Sequence, residues 1–144
     1  MSTAVALARL LLGGIFLYAA GTKVPDMAAF ADSVANYRIL PPALVPAAAA
    51  VLVGVEILVG LALLTGRGAR PAAWVASALL AGFTVGLAAA LARGIDLACG
   101  CFGGAAPATW WTVARDVAWL ALALLVALRG PGRLLPSRDA VPVG

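Results

Sequence analysis

Two cysteines separated by one glycine, Cys99-Gly100-Cys101, are the residues of this chain best suited to chemistry. They stand in the stretch Ala98-Cys99-Gly100-Cys101-Phe102-Gly103-Gly104, and the sequence has no other cysteine and no histidine. Without histidine there is no Ser-His-Asp triad, no His-ligated haem and no His-rich metal site. Two thiols alone do not complete a tetrahedral zinc site either, so neither haem nor zinc is expected. Any redox chemistry therefore runs through the two sulfur atoms. A disulfide between positions i and i+2 closes a smaller ring than one across Cys-x-x-Cys, departs from relaxed geometry and is readily reduced. That favours an exchangeable pair, catalytic or relaying, over a permanent staple. Three other readings stay open: a soft ion such as Cu(I) held by both thiolates with help from Met27, a structural disulfide pinning the loop, and small residues without chemistry.

The elements that must position these thiols are hydrophobic. The chain has 144 residues, enough for one domain, of which 64% are hydrophobic and 11% charged. A water-soluble domain needs far more polar surface than that, so the expected surroundings are a lipid bilayer. The net charge is +4, from ten Lys and Arg against six Asp and Glu. These basic residues are scattered singly with no aromatic-interleaved patch, which argues against a nucleic-acid partner and for charges flanking membrane spans.

A bilayer core takes roughly 20 apolar residues as helix. Residues 4–22, 43–64, 72–91 and 111–128 qualify. Their apolar runs are continuous rather than alternating, which excludes a closed barrel and leaves helices. The expected fold is all-α: a polytopic membrane four-helix bundle over residues 1–130, with residues 131–144 as a disordered cytoplasmic tail. The small-residue end Tyr18-Ala19-Ala20-Gly21 resembles a signal-peptide cleavage site. No basic residue precedes the run, however, Arg9 sits inside it and three more spans follow, so it is read as a retained span.

The loop after the first span has its own pattern. Met27, Phe30, Val34 and Tyr37 recur at helical spacing, with Pro25 before them and Pro41-Pro42 after. This predicts a short amphipathic helix on the membrane surface, or one packed on the bundle. Arg67, Arg70, Arg129, Arg133 and Arg138 fall on one side of the bilayer, and Lys23, Arg38 and Arg93 on the other. The excess of positive charge places both termini in the cytoplasm and the Cys-Gly-Cys loop outside, in an oxidising space. Trp110 and Trp111 mark the outer interface beside that loop. The glycines Gly13-Gly14, Gly54, Gly60, Gly82 and Gly86 are expected to let helices approach closely.

Four charges fall inside the spans, and an unpaired charge there is costly. Counted from the cytoplasmic end, Glu56 is about 12 Å deep and Arg9 about 8 Å. That match predicts an Arg9–Glu56 pair. Arg115 and Asp116 lie below the cysteine loop, with Lys23 expected to snorkel toward Asp116. Such groups either fix the packing as ion pairs or handle protons.

Taken in order, these residues resemble the DoxX/MauE family of small bacterial four-helix membrane proteins. The resemblance rests on residues 9–16, Gly21-Thr22-Lys23 with Asp26 and Phe30, Tyr37-Arg38-Ile39-Leu40-Pro41, and Glu56 with Gly60-Leu61 and Gly66. It continues through Arg93-Gly94, the Cys99-Gly100-Cys101-Phe102-Gly103 block, Trp111 and Asp116, and that block points to the MauE branch. The resemblance implies a bundle similar to vitamin K epoxide reductase, located in the bacterial inner membrane. It also implies a periplasmic thioredoxin-like partner in disulfide formation, as in methylamine dehydrogenase maturation, and an association with quinone. Vitamin K epoxide reductases carry a Cys-x-x-Cys and a second cysteine pair; here the partner supplies the second dithiol. The expected function is thus a membrane thiol–disulfide oxidoreductase with Cys99 and Cys101 as its reactive pair. Its quinone would lie near Phe102, Trp110 and Trp111. The alternatives are a non-catalytic membrane anchor or assembly subunit of a redox or sulfur-metabolising complex, and a soft-metal carrier.

Overall fold

The structure, a computed structural model, describes residues 2–94 and 109–130. It contains five helices among those residues and no strand: α1 (Ser2–Lys23), α2 (Met27–Asn36), α3 (Val45–Thr65), α4 (Ala69–Ala92) and α5 (Trp110–Arg129). Among the described residues four helices are long and apolar enough to cross a membrane, built on α1, α3, α4 and α5. It is a multi-pass membrane protein with the expected four-span architecture. Each end of a span falls within a few residues of the boundary read from hydropathy, because composition changes abruptly where the chain leaves lipid.

Successive spans run antiparallel and bury one common core. Leu12 and Phe16 of α1, Leu63 of α3, Ala73 and Ala76 of α4 and Val126 of α5 meet in it. Large apolar side chains such as Leu7, Leu58, Val85 and Leu128 point outward, where lipid rather than water accommodates them. α1 packs most extensively on α3, and α4 on α5. The α1–α3 seam is close because two glycines face each other across it. A Cβ on Gly13 would lie 3.0 Å from Leu63 Cβ, and one on Gly60 2.7 Å from Leu17 Cγ. The other glycines read as packing residues differ. Gly14, Gly54 and Gly82 face open space, and a Cβ on Gly86 would make only ordinary contact with Tyr37 and Ile39.

The first loop folds as the spacing indicated. Asp26 caps α2 by accepting from the Ala29 amide at 3.0 Å. Phe30 is buried, and with Met27 and Val34 it packs against Ala20 of α1 and Ala49 and Val53 of α3. α2 therefore covers one end of the bundle, the end at which α4 stops and α5 begins. After it, Arg38 turns the chain with φ 54, and a 3-10 turn over Pro42–Leu44 leads into α3.

Candidate functional site

Lys23 and Glu56 are deeply buried charges toward the α2 end, 2% and 4% exposed. Lys23 Nζ donates to Glu56 Oε1 at 2.7 Å and to Oε2 at 2.9 Å, and lies 5.0 Å from the centre of the Phe30 ring. This geometry follows from helix direction. Side chains on a helix lean toward its N-terminus, so Lys23, at the last turn of α1, reaches back into the bundle.

The same lean carries Arg9 the opposite way from Glu56 and overturns the pairing expected from depth. Arg9 Nη1 donates to the carbonyl oxygens of Leu63 and Leu64, where α3 ends and its last carbonyls lack helical partners. Leu63 is seven residues beyond Glu56, about 10 Å along the axis. Gly66 closes α3 at φ 79, and a Cβ there would approach Arg9 Nη1 to 3.0 Å. Arg70, on α4, does the same for α5, its Nε donating to the Ala127 carbonyl at 3.1 Å. Both arginines also complement the negative ends of the helices they cap. Arg9→Leu is expected to cost about 1–3 kcal/mol, the cost of unpaired buried carbonyls. Unfolding in mixed micelles measures it, and a value indistinguishable from zero would show that solvent or lipid headgroups satisfy those carbonyls.

Lys23 does not reach Asp116 either, since Glu56 holds it. Asp116 is 3% exposed and bonds through Oδ1 to Arg115 on its own helix at 3.4 Å. Its Oδ2 and the Trp119 Nε1 are buried without a protein partner. Both residues line a small internal cavity of about 40 Å3 that also reaches Glu56, Phe16 and Phe83. The volume suffices for a bound water. Two carboxylates from different helices thus border one small cavity whose remaining lining is largely apolar.

A second, larger cavity of about 310 Å3 opens above Lys23. Phe30 and Tyr37 line one side, and Ala78, Gly82 and Gly86 of α4 the other. Leu79 and Phe83 border both cavities. Lys23 touches the large one and Glu56 the small one, so their ion pair stands between the two chambers.

Cys99, Cys101 and Phe102 lie outside the described residues. Both ends of the segment that carries them, Gly94 and Thr109, are at the α2 end of the bundle. Thr109 caps α5 by a reciprocal pair of bonds with Thr112. Trp110 and Trp111 follow at 60% and 78% exposure, and neither borders a cavity described above.

The model of the family described as methylamine utilisation protein MauE matches residues 1–129. The chain belongs to the MauE family. It is 38% identical over 132 residues to the methylamine utilization protein MauE of Paracoccus denitrificans, across 90% of this chain and 71% of that protein. No solved structure matches it. The family match spans α1 through α5 together with the cysteine segment between α4 and α5.

Several residues of the two chambers were not singled out from this MauE-family sequence as site residues. Trp119 stands one turn after Asp116 on the same helix face, a spacing that could have drawn attention to it. Ala78, Gly82 and Gly86, spaced by four, announce a flat strip along α4. Nothing local distinguishes a strip that lines a cavity from one that meets another helix.

Proposed function

We propose that this chain is a membrane thiol–disulfide oxidoreductase component of methylamine utilisation, exchanging electrons between a periplasmic thioredoxin-like protein and a quinone. Cys99 and Cys101 are the reactive pair. The observation that carries the reading is the anchoring of their segment. It leaves and re-enters the bundle at the end that holds the Lys23–Glu56 pair and the larger cavity. The ends of the cysteine segment, a buried ion pair and the larger cavity thereby meet at one end of the molecule.

Run toward disulfide formation, a quinone takes two electrons and two protons from the Cys99–Cys101 dithiol and leaves as quinol. The resulting disulfide is attacked by a thiolate of the partner, forming a mixed disulfide. The partner's second thiol then releases Cys99 and Cys101 as thiols and leaves the partner oxidised. Glu56 and Asp116, sharing the small chamber, are the carboxylates that would take up and pass on the protons.

The orientation in the bacterial inner membrane follows from charge. Arg67, Arg70 and Arg129 are exposed at the end where α1 begins and α5 finishes. At the α2 end Lys23 is withdrawn into its pair, which leaves Arg38 and Arg93 as the exposed cations among the described residues. The positive side faces the cytoplasm, so the cysteine segment faces out.

Alkylation of intact cells with a membrane-impermeant maleimide, before and after reduction, tests location and redox state together. The expected result is labelling from outside, with an oxidised fraction that falls when quinone synthesis is blocked. A pair that stays fully reduced, or stays oxidised without quinone and partner, overturns the relay. Full function in the Cys99→Ser, Cys101→Ser double variant would replace it with a non-catalytic anchor. Stoichiometric Cu(I) binding by the reduced pair, with no disulfide formed in cells, would indicate metal carriage.

A further inference from the structure

The larger cavity has a shape and a polar feature that together select a ligand. One wall is α4, presented through Ala78, Gly82 and Gly86. These residues are four apart and nearly without side chains, so helix backbone is bared along that strip, with Leu79 and Phe83 of the same helix beside it. Facing it are the rings of Phe30 and Tyr37 from the α2 segment. The slot is narrowest near Gly86, where a Cβ would lie 3.6 Å from both Tyr37 Cδ1 and Ile39 Cδ1. It is open at Gly82, where a Cβ would meet nothing within 4 Å. The volume, about 310 Å3, suits a single ring system with short substituents.

The polar feature is Lys23. An ammonium has three N–H donors, and the two oxygens of Glu56 account for two of them. Lys23 borders the slot while being 2% exposed. The Phe30 ring, centred 5.0 Å from Nζ, attracts the same ammonium, but a hydrocarbon occupant would offer its third N–H no oxygen acceptor. A carbonyl oxygen at the base of the slot would satisfy it.

We propose that this slot binds a lipid-soluble planar ring bearing a carbonyl oxygen, a quinone-class head group. The ring lies between the α4 strip and Phe30, with Lys23 donating to the carbonyl. The inference rests on the quinone half of the proposed function and moves that site from the tryptophans at the start of α5 to the cleft between α2 and α4. Because Glu56 holds the same ammonium, the ligand and the carboxylate share one cation, and the small cavity that Glu56 borders lies on the other side of that pair.

The test uses the full chain with both cysteines changed to serine, reconstituted in lipid nanodiscs. Binding is then read without any thiol chemistry. The probe is an azido-substituted benzoquinone, photolysed and mapped by peptide mass spectrometry, with a decyl-benzoquinone as competitor. Label is expected on the α2 and α4 peptides. Gly82→Leu fills the open part of the slot where the backbone tolerates a side chain, and is expected to lower labelling at least about tenfold. Gly14→Leu, which also enters open space but lies on α1 away from the slot, should leave labelling unchanged. The Lys23→Met, Glu56→Gln double variant avoids a stranded charge and should also weaken labelling about tenfold or more. Label confined to the Trp110–Trp111 region, label indifferent to Gly82→Leu, or competition by a saturated phospholipid as effective as by quinone would each overturn the assignment. Loss of the cysteine relay alone would not move any of these readouts. A working relay with no quinone in the slot would refute the slot and spare the relay.

Discussion

Lys23→Met is expected to destabilise the bundle by about 3–5 kcal/mol, the usual cost of removing one partner from a buried ion pair. Glu56 is 4% exposed, and beyond Lys23 its nearest polar surroundings are the small chamber shared with Asp116 and Trp119. Methionine keeps most of the length but loses the ammonium beside the Phe30 ring and leaves the carboxylate without a counter-charge. Changing Glu56 to Gln in the same background removes the stranded charge and should restore much of the loss. The measurement is a double-mutant cycle on unfolding in mixed micelles, with the four proteins compared at one lipid-to-detergent ratio. A coupling energy well above the ~0.6 kcal/mol typical of polar contacts between membrane helices is expected. A value at or below that level would mean that Lys23 and Glu56 do not depend on each other. An Arg9 and Glu56 cycle run alongside should give no coupling, because the guanidinium serves the end of α3 instead.

The second large effect is expected at the glycine seam. In Gly60→Ala the new methyl would sit 2.7 Å from Leu17 Cγ and 3.1 Å from the Gly13 carbonyl oxygen. Leu17 can change rotamer, but the backbone oxygen moves only if α1 and α3 separate. Overpacking of this kind costs about 1–3 kcal/mol, and Gly60→Leu should exceed the alanine variant. Pairing Gly60→Ala with Leu17→Ala relieves the side-chain clash and should recover part of the loss. Gly54→Ala, on the same helix but facing open space, is the control and should be near neutral or slightly stabilising. Equal effects at Gly60 and Gly54 would show that the seam is not the tight contact described above.

The contrast between Gly60 and Gly54 also marks what can be read in the sequence. The four spans follow from the length and continuity of apolar runs, and α2 from the spacing of Phe30 among its apolar neighbours, because both are properties of one segment. Which glycine meets a neighbour depends on how two segments face each other, and composition carries no record of that. The ion pair was mistaken for a related reason. Depth places backbone atoms along the membrane normal, whereas a long side chain adds several ångströms in a direction fixed by the polarity of its helix. Arg9 and Lys23 lie on one helix and lean the same way. That lean takes Arg9 toward the C-terminal end of α3 and Lys23 toward Glu56. Applying that rule to the two candidate cations would have chosen Lys23. The cavities lay further out of reach, since they require four helices and α2 to be placed at once.

The distribution of charge between α1 and α3 bears on how the chain enters the membrane at all. α1 carries two cations, Arg9 and Lys23, and no acidic residue. The groups that receive them, the carboxylate of Glu56 and the final carbonyls of α3, are synthesised more than thirty residues after Lys23. A basic residue near the middle of an inserting helix costs about 2.5–3.5 kcal/mol, and less near its ends. Until the ribosome has passed Leu64, α1 therefore holds both cations without the partners they have in the folded bundle, and its apolar residues alone offset their cost. The final pairing of both cations waits for α3, so the hairpin of α1 and α3 is the smallest unit in which each is satisfied. A chain truncated before Glu56 should leave α1 loosely held and open to membrane proteases.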